Sequence, residues 1–138
     1  YDDVTAEVGA FLRQRSDLAL ERGIPAERII IDPGHDLNKN TLQTLEITRR
    51  LDEIAAIGFP LLVALSNKDF IGEALGRERD QRVAGSLAAA VFCVLHGASI
   101  VRAHNVPETV DALRMVESIL GWRVPENLVH NMRAEGND

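Results

Sequence analysis

An α/β fold built on a parallel sheet is predicted by three observations on the amino-acid sequence. Helical periodicity alternates with short strand-like runs in the order α-β-α-β-α-β-α. Those runs are apolar almost throughout, as in strands of a parallel sheet covered on its faces. Each run then stops on ionisable residues: Asp32 after the first, Ser66 to Asp69 after the second, and Arg102 with His104 in the third.

The elements follow in order. Val4, Val8, Phe11, Leu12, Leu18 and Ala19 recur at helical spacing, with Gly23 as the stop. "RIIID" is the first strand, closed by Pro33 and Gly34. Leu42, Leu45, Leu51, Ile54 and Ala55 mark a second helix ended by Gly58, and "PLLVALS" is the second strand. A third helix is expected from near Arg79 through Val83, Leu87, Val91 and Val94 to Gly97. "SIVRAH" is the third strand, and "VPETVDALRMVESIL" a fourth helix with Pro107 in its first turn. The tail "NMRAEGND" is polar and expected to fray.

Three parallel strands alone leave two unpaired edges. The expected architecture is therefore the carboxyl-terminal part of a TIM-type (β/α)8 barrel, with three parallel strands and four helices in this segment. The barrel part is assigned to residues 1–120, and 121–138 to a carboxyl-terminal extension and polar tail. A free-standing three-layer domain is the alternative.

Composition narrows the function. The chain has 138 residues, 46% hydrophobic and 26% charged, which fits a globular protein. A net charge of −6 argues against a nucleic-acid partner, because such a surface repels phosphates. Apolar runs are broken well before the roughly 18 residues a membrane span needs, so no membrane partner is expected. No signal-peptide pattern opens the chain at Tyr1. The single cysteine, Cys93, reads as a small buried hydrophobe, and a reducing cytoplasm is the expected setting.

In barrels of this class the site lies at the carboxyl ends of the strands. Alternation places Arg102 and His104 on one face, with Ala103 opposite. One acid and three basic groups thus converge on one rim, which suits an anionic or heteroaromatic ligand. Taken singly, each has a plainer role: Asp32 in a turn, Lys68 as a solvated lysine, Arg102 in an ion pair.

"DPG" after one strand, "SNKDFIG" after the next and "GSLAAAVFCVLHGASIVRAHNV" leading out of the last resemble the carboxyl-terminal half of dihydropteroate synthase. The resemblance runs from about Val4 to Leu120. It implies a (β/α)8 barrel, a homodimer through the last helices, and the joining of 6-hydroxymethyl-7,8-dihydropterin diphosphate to p-aminobenzoate in folate biosynthesis. It implies that Asp32 and Lys68 bind the pterin and that Arg102 and His104 hold the diphosphate, the four forming the catalytic set. It also implies a use for Mg2+, with the ligand outside this segment; no metal ligand is assigned here.

Around these anchors the letters depart from the family. The loop after "DPG" normally carries glycines and a Phe, but reads His35–Asp36–Leu37–Asn38–Lys39. The family's S-R-K-S is Ser66–Asn67–Lys68–Asp69, so a carboxylate stands where a hydroxyl helps hold the benzoate. Losing a hydrogen bond to a charged group costs about 1.5–3 kcal/mol, and losing an aromatic contact at Leu37 about 0.5–1.5 kcal/mol. Leu37, Asn67 and Asp69 therefore mark an altered amine site, unless a neighbour neutralises Asp69 or the loop swings it away. The expected protein is a pterin-binding synthase-like paralogue, weak or inactive in the condensation. The rivals are a fully active synthase, a non-enzymatic pterin-binding or interaction protein, and a corrinoid methyltransferase-type barrel.

Overall fold

A computed structural model describes residues 1–131; the remainder of the polar tail lies outside the described residues. The helices are α1 (Val4–Glu21), α2 (Thr41–Arg49), α3 (Leu51–Ala55), α4 (Asp69–Leu75), α5 (Val83–Leu95) and α6 (Val106–Ile119). Strands β1 (Leu62–Val63) and β2 (Ile100–Val101) pair in parallel, with Leu62 opposite Ile100 and Val63 opposite Val101. Ile31 forms an isolated parallel bridge to Leu61 on the other edge of β1.

The three expected strand segments thus lie side by side in chain order, but their regular pairing is shorter than the apolar runs suggest. "RIIID" contributes one bridged residue. Ile31 donates to Pro60 O at 3.0 Å and accepts from Leu62 N at 2.8 Å. The next rung would need an N–H from residue 33, which is a proline and has none. On the other edge, Arg102 N donates to Val63 O at 2.9 Å and carries the ladder one residue beyond β2.

Alternation divides the sheet cleanly. Ile29, Ile31, Leu61, Val63 and Leu65 are buried and join Val4, Val8, Ile47, Leu51, Ile54, Phe70, Ile71 and Cys93 in one core beneath the helices. The even-numbered neighbours take the other face: Ile30 is 55% exposed, and Leu62, Ala64 and Ile100 are half-buried. Among the described residues the sheet is therefore covered on one face only, not on both as its apolar strands suggested. The expected reading of Cys93 holds: it is fully buried, and burial pushes its thiol up to about 12.

Several helices differ from the expected four. The second splits at Arg50, whose backbone leaves the helical region (φ −104°, ψ 30°). There its guanidinium bonds Asp3 at 3.0 Å, Glu46 at 3.0 Å and Glu53 at 2.7 Å, tying the α2–α3 junction to the start of α1. α4 has no counterpart in the sequence reading. The third helix begins at Val83 after a 3-10 turn at Arg79–Gln81. Its stop at Gly97 and Pro107 in the first turn of α6 are as expected. Asn40 opens α2 with a capping box, accepting from Gln43 N while its own N–H donates to Gln43 Oε1. No helix among the described residues is long and apolar enough to cross a membrane.

Gly97 sits at φ +102°, and a Cβ there would come within 2.5 Å of the Ala55 Cβ. Gly97→Ala is expected to destabilise the fold by about 1–3 kcal/mol through strain and the clash together. Gly58→Ala, at the same φ but with open space around it, is expected to cost less, as read by the midpoints of urea titrations.

His35 is 1% exposed, neither ring nitrogen has a hydrogen-bond partner among the described residues, and burial pushes its pKa down to about 3, helped by the charges of Lys68 and Lys39. The unfolded chain therefore binds a proton that the folded one refuses between about pH 6.5 and pH 3. The neutral ring's contribution is complete above that window and is lost as pH falls through it. His35→Leu should flatten the acid side of the stability profile by a few kcal/mol, since each pKa unit is worth about 1.4 kcal/mol. Parallel pH–stability curves for the two proteins would contradict this.

Candidate functional site at the carboxyl ends of the strands

The open face of the sheet carries the polar groups. Asp32 continues the even-numbered series of Ile30, Ser66 that of Leu62 and Ala64, and Arg102 and His104 that of Ile100. Ala64, Ser66, Lys68, Arg102, Ala103 and His104 line a small cleft of about 80 Å3 at the strand ends. The expected partners Lys68, Arg102 and His104 thus share one cleft. Asp32 does not line it, but its charge acts on the Lys68 ammonium from alongside.

Each group is held by its own local chemistry. Asp32 Oδ1 accepts from Gly34 N at 2.8 Å, so the turn expected of Asp-Pro-Gly is present and still leaves Oδ2 outside that bond. Ser66 Oγ bonds the His104 backbone N–H at 3.1 Å and the ring Nδ1 at 3.0 Å, pinning the third strand segment to the second. Arg102 and His104 are exposed at the rim. Lys68 is half-buried; its Nζ donates to His35 O at 2.6 Å. Partial burial lowers its pKa, opposed by Asp32 and Asp36 and assisted by Arg102. A cation held so, next to an exposed carboxylate and two exposed basic groups, suits a ligand with both a hydrogen-bonding ring and an anionic arm.

The loop from Pro33 to Asn40 bends despite lacking the glycines that the family pattern carries there. Asp36 and Asn38 take the left-handed conformation themselves, at φ 61° and 51°, as Asp and Asn do more readily than other side chains. Asp36 also has a structural role that its neighbours in sequence do not reveal. Oδ2 accepts from Phe70 N at 3.1 Å and Oδ1 from Thr44 Oγ1 at 3.1 Å, fastening the loop to α4 and α2. Lys39 Nζ closes the loop on itself through Gly34 O and Leu37 O, both at 3.0 Å. Leu37 stays exposed.

The altered amine residues are placed differently from one another. Asn67 sits at φ 58°, its N–H donating to Ser86 Oγ at 2.9 Å. Asp69 is the first residue of α4 and lies off the strand end. Its side chain is 85% exposed, and Arg82 Nη1 pairs with it at 2.8 Å. The neutralising neighbour weighed in the sequence reading is therefore present, and Arg82, Ser86 and Asp36 are site-shaping residues that the sequence reading did not identify. Among the described residues no group of three or more His, Cys, Asp and Glu is placed to hold a metal ion, so nothing below is routed through Mg2+.

Comparison with known proteins matches residues 1–104 to the family model of pterin binding enzymes. Over 131 residues the chain is 38% identical to "Inactive dihydropteroate synthase 2" of Mycobacterium leprae, covering 95% of this chain and 44% of that protein. It is 40% identical over 120 residues to dihydropteroate synthase of Escherichia coli K12, covering 87% and 43%. The solved dihydropteroate synthase of Xanthomonas albilineans in complex with 7,8-dihydropteroate superposes with a TM-score of 0.86 at 42% identity, covering 91% of this chain and 47% of that one. The chain spans somewhat under half the length of these relatives. It belongs to the pterin-binding enzyme family, with dihydropteroate synthases as its relatives.

Proposed function

We infer that the chain forms the carboxyl-terminal part of a (β/α)8 barrel, with residues 1–120 in the barrel and 121–138 as an extension. In this reading it binds a dihydropterin diphosphate at the strand ends. The observation that carries the reading is the gathering of Lys68, Arg102 and His104 in one cleft, beside Asp32, on the uncovered face of a parallel sheet. The side-by-side order of consecutive strand segments supports a barrel, and the half-buried apolar residues of the open face suit its interior. Homodimerisation through the last helices, a cytoplasmic setting and Mg2+ held from outside these residues belong to the same proposal.

The roles that the family resemblance implies fit the chemistry of these residues. Asp32 accepts N–H bonds from the pterin ring, and its charge favours the cationic pterin that develops as diphosphate leaves. Lys68 donates to the pterin carbonyl, exchanging its bond to His35 O for one to the ligand. Arg102 and His104, exposed at the rim, hold the diphosphate through charge-assisted bonds, roughly twice as strong as neutral ones. Their preorganised positive charge stabilises the departing anion.

On the amine side the reading is a condensation with p-aminobenzoate that is weak or absent. Asp69 and Arg82 neutralise each other, so that pair offers no free cation to a benzoate carboxylate. Leu37, exposed on its loop, presents no aromatic face. Pterin binding without condensation would leave a non-enzymatic binding protein; strong turnover would make it an ordinary synthase. Calorimetric titration of the full-length protein with pterin diphosphate, with and without p-aminobenzoate, separates these.

Asp32→Asn and Lys68→Ala are each expected to weaken pterin binding by about 1.5–3 kcal/mol, the range for bonds to charged partners. Arg102→Ala should weaken pterin diphosphate far more than the bare pterin, and wild-type diphosphate binding should fall with added salt. Unchanged affinity in all three variants would remove the site from the cleft.

Leu37→Phe combined with Asp69→Ser should raise kcat/KM for p-aminobenzoate at least about tenfold, or ~1.4 kcal/mol. Asn67 is left in place because Arg at its φ of 58° would be strained. A smaller gain would mean that these residues do not limit amine use.

A further inference from the structure

We propose that Arg82, at the start of α5, is a positioning residue that sets the direction of Lys68 by holding the Asn67 carbonyl before it and the Asp69 carboxylate after it. Its ligand-binding arm rests on the pterin reading above; its conformational arm does not.

Lys68 follows a residue in an uncommon conformation. Asn67 lies at φ 58°, and a left-handed residue needs neighbours that hold it there. Those neighbours come from the first turn of α5. Ser86 Oγ accepts from Asn67 N at 2.9 Å and donates to Arg82 O at 2.7 Å. Arg82 Nη1 donates to Asn67 O at 3.0 Å and to Asp69 Oδ1 at 2.8 Å, so one nitrogen grips the residue before Lys68 and the residue after it. Arg82 Nε is anchored on Arg77 O at 3.2 Å, beyond the end of α4. With its side chain 13% exposed, the guanidinium is wedged between the loop and the body of the protein.

Neutralising Asp69 would not require this geometry. Asp69 is 85% exposed and largely solvated, and a flexible lysine at the surface could serve as its counter-ion. Two of the three groups that Arg82 bonds are main-chain carbonyls, which suits a planar fork more than a point charge. The protein also leaves room for that fork. At Gly72, inside α4, a Cβ would lie 2.4 Å from both Nε and Nη2 of Arg82. Gly72 is thus explained by the guanidinium packed on it. On the far side of the bracket Lys68 Nζ reaches His35 O at 2.6 Å. Any turn of the Asn67–Lys68 peptide would swing the side chain off that line.

The test uses the full-length protein and three variants, Arg82→Ala, Arg82→Lys and Gly72→Ala. Gly72→Ala leaves Arg82 in the chain and favours the helix, so it displaces the guanidinium without removing it. Amide hydrogen exchange at Asn67 and Lys68 should accelerate about tenfold or more in all three variants, with amides of β1 and the later turns of α5 little changed. Affinity for pterin diphosphate should fall about fivefold or more in Arg82→Ala, whereas in a Lys68→Ala background Arg82→Ala should cause no further loss, as coupled residues behave in a double-mutant cycle. Unchanged exchange at Asn67 and Lys68 would overturn the proposal, and so would wild-type behaviour in Arg82→Lys, because charge alone would then suffice. Acceleration throughout α5 would overturn it too, as simple destabilisation. If Lys68→Ala by itself leaves affinity intact, the pterin role of Lys68 fails, and the exchange measurements still decide whether Arg82 sets this loop.

Discussion

The period of two along three parallel strand segments is the constraint on which this molecule depends. One residue in two is committed to the core beneath the helices: Ile29, Ile31, Leu61, Val63 and Leu65. The alternate positions face the other way, and past the last apolar residue they deliver Asp32, Ser66, Arg102 and His104. A shift of one residue in any strand would bury a charge and expose an aliphatic side chain together. Core packing and the direction of the polar groups are therefore fixed by the same register.

The charges at the rim are organised in two tiers. Asp32, Arg102 and His104 stand at the surface with few internal partners. Behind them Lys68, Asp36 and Arg82 are engaged with the main chain, at His35 O, Phe70 N in α4 and Asn67 O respectively. The inner groups shape the loops on which an incoming ligand would bear. Buried His35 belongs to this inner tier as well: its carbonyl receives Lys68, while its neutral ring occupies the core against Phe70, with ring centroids 6.5 Å apart. A protonated ring there would meet the positive charges of Lys68 and Lys39.

Much of this was legible in the sequence, and the parts that were not share a cause. The strand segments were visible because apolar runs and their polar ends are local signals. Gly23, Gly58 and Gly97 marked helix stops for the same reason, each at positive φ. α4 was missed because its first turn is completed by a carboxylate 34 residues upstream, Asp36, and by no side chain of its own. The break at Arg50 was missed because it accompanies a bond to Asp3, 47 residues away. The neighbour that neutralises Asp69 had no local signal, because Arg82 lies 13 positions on, beyond a helix that the periodicity did not disclose. The loop after Gly34 lacks the family's glycines, and the letters alone do not show that Asp36 and Asn38 take up the left-handed backbone shape instead. Local patterns reveal elements; side-chain bonds across long separations have to be seen in three dimensions.

The dependence of α4 on Asp36 has a consequence for how the chain acquires its structure. A seven-residue helix is too short to persist alone in water. Its cap becomes available only after the segment between residues 36 and 70 has closed into a loop, and closing a loop carries an entropic cost before its contacts reward it. The order of α4 therefore depends on contacts with the segment that holds Asp36 and not on its own residues alone. The rim at the strand ends thus borrows its order from the scaffold around it.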